Sequence, residues 1–308
     1  MKAIMYHYVR KFDKDLPNFR YLSYKNFQKQ LDFFDKNFGF ITRDQWNKIL
    51  KSKRVGEYQG KILLTFDDGL SCHYNFVFPE LNKRGLWGIF YISTNPYKNN
   101  KLLDVHKIHL LCGAFEGKDL IRVLKLFLDE EMIPDKKIEE FRKETYITQN
   151  NFEGVSEFKR ILNYYISYSF RENLINKIAN YFGYEFDVNK FYLSKEKIKD
   201  MSKYGHVIGS HTVTHPVMSK LSREEQSYQI KDSFSFLKDL EITSEKTYCH
   251  PYGGFHTFNK DTIELLKNNN VNYSFSVEPR EINNNDLKNN KQFLPRFDCN
   301  LFPNGKAS

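Results

Sequence analysis

Short apolar runs alternate along this chain with longer stretches whose apolar positions recur at helical spacing, and this alternation predicts parallel β-α units packed in layers, an α/β fold. Residues 2–9 read as a first strand. A helix follows from Ser23 as N-cap, with Phe27, Leu31, Phe34 and Phe38 on one stripe and Gly39 as a stop. Thr42-Arg43-Asp44-Gln45 is a capping box that opens the next helix, which carries Trp46, Ile49 and Leu50. Residues 61–66 form a short buried strand that delivers Asp67 and Asp68 at its carboxyl end, where parallel sheets and barrels place their chemistry. Further strands are expected at 85–93, 207–210, 246–249, 271–277 and 292–297, the second of these delivering His211. Ser222-Arg223-Glu224-Glu225 is another capping box, opening a helix with Ile230, Phe234 and Leu237 inward. The stretch at about 95–191 breaks the pattern: it is helical throughout, with no strand-like run. It reads as a helical insertion in a single domain spanning residues 1–308.

Composition narrows the class of partner. The 28 Phe and 20 Tyr are heavy for a globular chain of 308 residues and supply core, with some left for a sugar-binding groove. A net charge of +9 would favour anionic partners, but the lysines are scattered among asparagines with no basic stripe, so nucleic acid is not expected. Cys72, Cys112, Cys249 and Cys299 lie far apart and give neither a zinc knuckle nor a disulfide framework. The first residues, Met1-Lys2-Ala3-Ile4-Met5-Tyr6-His7-Tyr8, hold too short an apolar run for a signal peptide, and no later run is long enough to span a bilayer. A cytoplasmic protein is the expectation.

Two strings carry chemistry. Thr65-Phe66-Asp67-Asp68-Gly69 and His211-Thr212-Val213-Thr214-His215 together offer two carboxylates and two imidazoles. Three protein ligands of mixed Asp and His type leave positions open on a catalytic ion, unlike a closed structural site. Neighbouring strand residues point to opposite faces, so both aspartates reach one site only because Gly69 turns the chain. Asp-Asp-Gly is also ordinary turn chemistry, and two close histidines are more often surface or core residues than ligands. Their joint occurrence reverses that weighting. Pro216 pushes His215 out of the helical region, so the i, i+4 histidines close a loop and do not share a helix face. His106 and His109, with Asp104, sit at helical spacing in the insertion and read as ordinary helix residues, because nothing nearby completes a coordination set.

With these motifs in place the chain resembles the polysaccharide deacetylases of the NodB-homology type, carbohydrate esterase family four. The family's first motif, Thr-Phe-Asp-Asp-Gly, is matched without change, and its second, His-Ser/Thr-x-x-His, by residues 211–215. The resemblance implies Asp67 as general base and Asp68, His211 and His215 as metal ligands. It also implies a distorted (β/α) barrel of about seven parallel strands. The third motif, Arg-x-Pro-Tyr/Phe, survives only as Cys249-His250-Pro251-Tyr252-Gly253, with cysteine where an arginine would orient the catalytic aspartate. Arg296, in Leu294-Pro295-Arg296-Phe297-Asp298, is the candidate substitute. By the same resemblance Tyr252, with Pro251 and His250, forms the oxyanion and substrate-binding segment. The family's late Leu-x-His is missing from its usual place. The chain resembles the permuted arrangement of biofilm poly-N-acetylglucosamine deacetylases, in which His7, at the end of the first strand, becomes the catalytic acid.

The function so implied is metal-dependent removal of an N-acetyl group from an amino sugar, a C–N bond other than a peptide bond. Zinc is the first choice of ion, and cobalt, nickel or iron suit the same donors. The expected substrate is a nucleotide-, lipid- or oligosaccharide-linked intermediate of capsule or lipopolysaccharide assembly. Two alternatives stand beside it: a deformylase or other amide hydrolase on the same fold, and a catalytically silent sugar-binding module, which Cys249 favours.

Overall fold

The computed structural model describes residues 1–134, 138–146, 151–242 and 245–307. Its residues gather into two compact units, one of Met1–Lys11, Tyr21–Asn99 and Lys190–Ser308, the other of Phe12–Arg20 and Asn100–Asn189. The first unit is built on seven parallel strands: β1 (Lys2–Tyr6), β2 (Ile62–Phe66), β3 (Ile89–Ile92), β4 (Val207–Ser210), β5 (Thr247–Cys249), β6 (Tyr273–Phe275) and β7 (Phe297–Asp298). They lie in the order β6-β5-β4-β3-β2-β1-β7 and curl into a distorted barrel.

Alternation along these strands sorts their side chains into two layers. Leu63, Ile89, Tyr91, Val207, Cys249, Tyr273 and Phe275 fill one, together with Trp46 from the Arg43–Ser52 helix. Ile4, Tyr6, Leu64, Phe66, Phe90, Ile92 and Ile208 form the other, against Phe27, Leu31 and Phe34 of the Tyr24–Asn37 helix and Ile230, Phe234 and Leu237 of the Arg223–Asp239 helix. Burial on both faces is what a parallel sheet requires, and it explains the continuous apolar runs. The helices start as their sequences dictate. Ser23 caps Asn26, and the Thr42/Gln45 and Ser222/Glu225 boxes are both formed.

The registers align the strand ends. Tyr6 pairs with Phe66, Ile92 with Ser210, and Cys249 with Phe275, so His7, Asp67, His211 and His250 all leave the sheet at one edge. Strand β1 is shorter than the expected 2–9. The chain leaves the ladder after Tyr6, and Val9–Arg10 pairs instead with Leu22–Ser23. The strand expected at 292–297 is reduced further, because Pro295 has no N–H to give a ladder. Leu294 bridges Phe275 of β6, and three residues later Phe297 pairs with Ile4 of β1. Residues 294–298 therefore span the seam between β6 and β1, with Arg296 at its middle.

The second unit is helical, with Asp104–Ala114, Gly117–Phe127, Ile138–Glu144, Val155–Arg160 and Tyr168–Tyr181 as its main helices. It also takes in Phe12–Arg20, which in sequence lies between the first strand and the helix capped by Ser23, while Asn95–Asn99 and residues 190–191 group with the barrel. Parts of the expected helical stretch, 135–137 and 147–150, lie outside the described residues.

Candidate metal and acid-base site

Asp67 continues the inward alternation of Leu63 and Thr65 beyond the end of β2, so its carboxylate enters the barrel. The chain then turns sharply. Asp68 has φ +82° and Gly69 φ +65°, and a Cβ on Gly69 would stand 2.9 Å from the Ile92 side chain. That turn divides the two carboxylates between two sets of partners. Asp67 faces Arg296, and Asp68 faces the histidines.

His211 and His215 sit on a loop, as Pro216 dictates, and His215 has φ +56°. The loop is tied at nearly every residue. Ser93 Oγ donates to the His211 carbonyl at 2.8 Å, the His215 N–H donates to Thr212 Oγ1 at 2.9 Å, and the Val213 and Thr214 N–H groups both donate to Gln229 Oε1 at 3.0 Å. Thr212, like Asp68, His215 and Tyr252, holds a left-handed backbone that a non-glycine residue adopts only at a cost. These hydrogen bonds are what hold it there.

The result is a compact donor set. Asp68 Oδ1 lies 3.6 Å from His211 Nε2 and 3.6 Å from His215 Nε2. Two ligand atoms about 2.1 Å from one ion at the tetrahedral angle would be about 3.4 Å apart. His211 Nδ1 lies 2.8 Å from the Cys249 carbonyl; because a carbonyl only accepts, the proton sits on Nδ1 and the Nε2 lone pair faces Asp68. Burial lowers the His211 pKa against the pull of both aspartates, which keeps the ring neutral as a ligand must be. The three residues fit a divalent cation. A second grouping, Asp67, His211 and Cys249, has similar spacing among the described residues. It does not fit, because the Arg296 guanidinium already lies 2.8 Å from Asp67 and 2.9 Å from Cys249 Sγ.

Arg296 grips Asp67 with two parallel hydrogen bonds, Nη1 to Oδ1 and Nη2 to Oδ2, each 2.8 Å. Nη1 also donates to Thr65 Oγ1 and Nε to the Ser276 carbonyl, both at 3.1 Å. Both partners are about 1% exposed, so the pair is shielded from bulk solvent. Burial alone would push the Asp67 pKa up. Arg296, through its charge and its two hydrogen bonds, pulls the other way, and the value falls to about 2. The Cys249 thiol donates to Asp67 Oδ2 at 3.4 Å, and burial holds its own pKa well above the ordinary thiol range.

His7 leaves β1 in register with Asp67, whose N–H donates to the Tyr6 carbonyl at 2.9 Å. His7 lies near enough to Asp67 to interact with it electrostatically. Tyr252, with φ +62°, packs its ring edge-on to His215, centroids 4.8 Å apart. Pro251 holds the turn before it, its carbonyl accepting from Thr257 Oγ1 at 3.2 Å. His250 is turned elsewhere: its ring stacks on Phe258 at 4.0 Å, and its Nε2–H donates to the Gln292 carbonyl at 2.7 Å. It anchors the segment from behind.

Sequence reasoning missed the supporting residues Gln229, Thr65 and Ser276. Gln229 had a readable signal, since Gln226, Gln229 and Ser233 put polar groups on the same buried helix face as Ile230 and Leu237. Ser276 acts through its carbonyl and left none. Among the described residues neither grouping of metal-ligating side chains includes His106 or His109.

Residues 171–274 match the family model described as polysaccharide deacetylase, a span that holds both histidines and the Cys249–Gly253 turn. Curated relatives from Staphylococcus aureus, strains MRSA252 and N315, each named poly-beta-1,6-N-acetyl-D-glucosamine N-deacetylase, are 29% identical over 129 residues. The match covers 39% of this chain and 42% of each relative, so the chain spans less than half the length of the curated relatives it matches. Among solved structures, the deacetylase PplD of Streptococcus pyogenes in complex with acetate aligns over 97% of this chain and 91% of its own, with a TM-score of 0.58 at 14% identity. IcaB from Ammonifex degensii aligns over 89% of this chain and 82% of its own, with a TM-score of 0.51 at 17% identity. At such identities the likeness is one of fold.

Proposed function

We propose that this chain, which matches the polysaccharide deacetylase family over residues 171–274, is a metal-dependent hydrolase that removes N-acetyl groups from an amino-sugar glycan. The observation that carries the reading is the pairing of two sets at one barrel edge: Asp68, His211 and His215 spaced for one cation, and Asp67 gripped by Arg296 beside His7. The Staphylococcus aureus relatives are named for action on poly-beta-1,6-N-acetyl-D-glucosamine, which supports a polymer of N-acetylglucosamine as the substrate class.

When bound by Asp68, His211 and His215, a divalent cation, zinc first among those the donors suit, supplies Lewis acidity toward a water and the amide oxygen. Asp67 accepts the proton that the attacking water gives up. Held low by Arg296, it is ionised at every working pH and gives the proton back readily. The Tyr252 peptide N–H is the donor assigned to the acyl oxygen as charge gathers there. His7 donates a proton to the departing nitrogen, because an amine anion is a very poor leaving group. The C–N bond breaks, the acyl carbon keeps the water oxygen and leaves as acetate, and the sugar keeps a protonated amine. Cys249 in place of the motif arginine had favoured a silent sugar-binding module. Arg296 on both oxygens of Asp67 weighs against it.

The test uses the zinc-loaded full chain with a β-1,6-linked N-acetylglucosamine oligomer and its N-formyl counterpart. Acetate release is expected to exceed formate release. Asp67→Asn should lose about a hundredfold or more of the rate while keeping its zinc. His215→Ala should lose the zinc. Bound zinc with no acid released from either oligomer would sink the proposal.

A further inference from the structure

His73 follows the Asp67-Asp68-Gly69 turn and opens a single π-helical turn over His73–Val77, a local widening that recurs at functional sites. Its ring is fully buried, edge-on to Phe66 and tilted against Phe90, both at 5.7 Å. Nε2 lies 2.8 Å from the main-chain oxygen of His7. A carbonyl can only accept, so the proton sits on Nε2. Nδ1 is buried with no hydrogen-bond partner among the described residues, and burial pulls the pKa down to about 4, so the ring is neutral.

That bond sits where β1 stops. Tyr6 is the last residue of the strand, and its carbonyl accepts from the Asp67 N–H; the next carbonyl, that of His7, accepts from His73. Two successive carbonyls of one strand end are thereby latched to residues 67–73, the segment that carries both aspartates. Without the second latch His7 would have no ladder to hold its backbone, and its carbonyl would need another donor.

We propose that His73 is a positioning residue for His7: its Nε2–H fixes the His7 peptide and so aims the His7 imidazole at the departing nitrogen. This rests on the reading of His7 as the proton donor. Position matters at this level, since a displacement of about 1 Å can cost about a hundredfold in rate.

The experiment compares two substrates in one sample of the full chain: the N-acetylglucosamine oligomer, whose amine must be protonated to leave, and p-nitrophenyl acetate, whose phenolate leaves unaided. The amide-to-ester ratio is internal to each sample, so a partly unfolded variant does not distort it. His73→Leu should lower the ratio about tenfold or more through kcat, with KM little changed. His73→Gln, which returns an N–H at similar reach, should restore most of it. In a His7→Ala background His73→Leu should add nothing, since the two act as one unit. A lowered ratio in His7→Ala with an unchanged ratio in His73→Leu overturns the positioning role alone. An unchanged ratio in His7→Ala overturns the reading of His7, and the proposal with it.

Discussion

A carboxylate sealed inside a barrel needs a cation sealed in with it, and for Asp67 that cation is Arg296. Two residues before Pro251, where the resemblance implies an arginine, stands Cys249, whose sulfur accepts from the Arg296 guanidinium at 2.9 Å. Arg296 brings Asp67 both a charge and a two-pronged hydrogen-bonding fork from 229 positions away in the chain. Arg296→Met should therefore strand a buried anion and lower the free energy of unfolding by about 3–5 kcal/mol in urea titrations. Adding Asp67→Asn should recover part of that loss, because the stranded charge disappears. If the double variant is no more stable than Arg296→Met, the pair is not what steadies the barrel interior.

At the scale of elements, the loop bearing both histidines is held by one side chain of the helix beneath it. Gln229 accepts from two successive N–H groups and donates from Nε2 to Thr214 Oγ1 at 2.9 Å. Gln229→Leu leaves those N–H groups buried without an acceptor. We expect a loss of about 1–3 kcal/mol in stability, and zinc affinity weakened about 10- to 100-fold in chelator competition. Ser222→Ala, at the cap of the same helix, is the control: it should cost about 1 kcal/mol and leave zinc affinity unchanged. Equal affinities in the two variants would mean that Gln229 does not shape the ligand loop.

For the barrel unit, acid is the predicted weakness. His206 is buried between β3 and β4, accepting from the Gly88 N–H on Nδ1 at 3.2 Å and lying 3.2 Å from Asn82 Oδ1 through Nε2. A protonated ring would set an N–H against the Gly88 N–H. Burial, with the charge of Arg43, lowers its pKa to about 4, as burial does for His73. The unfolded chain binds these protons near pH 6.5 while the folded one refuses them until about pH 4, so stability is full above pH 6.5 and falls as pH drops through that window. The loss for His206 is on the order of 3 kcal/mol. Chemical denaturation at pH 7, 5.5 and 4.5 should show the decline, and His206→Gln should remove part of it, leaving the share of His73. A variant as acid-sensitive as the parent would place the weakness elsewhere.

What the sequence determined by itself was local or periodic. The caps at Ser23, Thr42 and Ser222, the buried strands read at 61–66 and 207–210, and the loop forced by Pro216 all follow from neighbouring residues, and the two motif strings follow from chemistry at short spacing. Tertiary structure decided whatever depends on residues far apart in the chain. Arg296 meets Asp67 only because residues 294–298 pair with β6 on one side and β1 on the other. His73 meets His7 only because β1 and β2 run in register, and Phe12–Arg20 groups with helices that begin some eighty residues later. Side-chain periodicity reports which face is buried, but the partner on that face is set by strand order and register, and those are fixed only when the whole sheet is assembled.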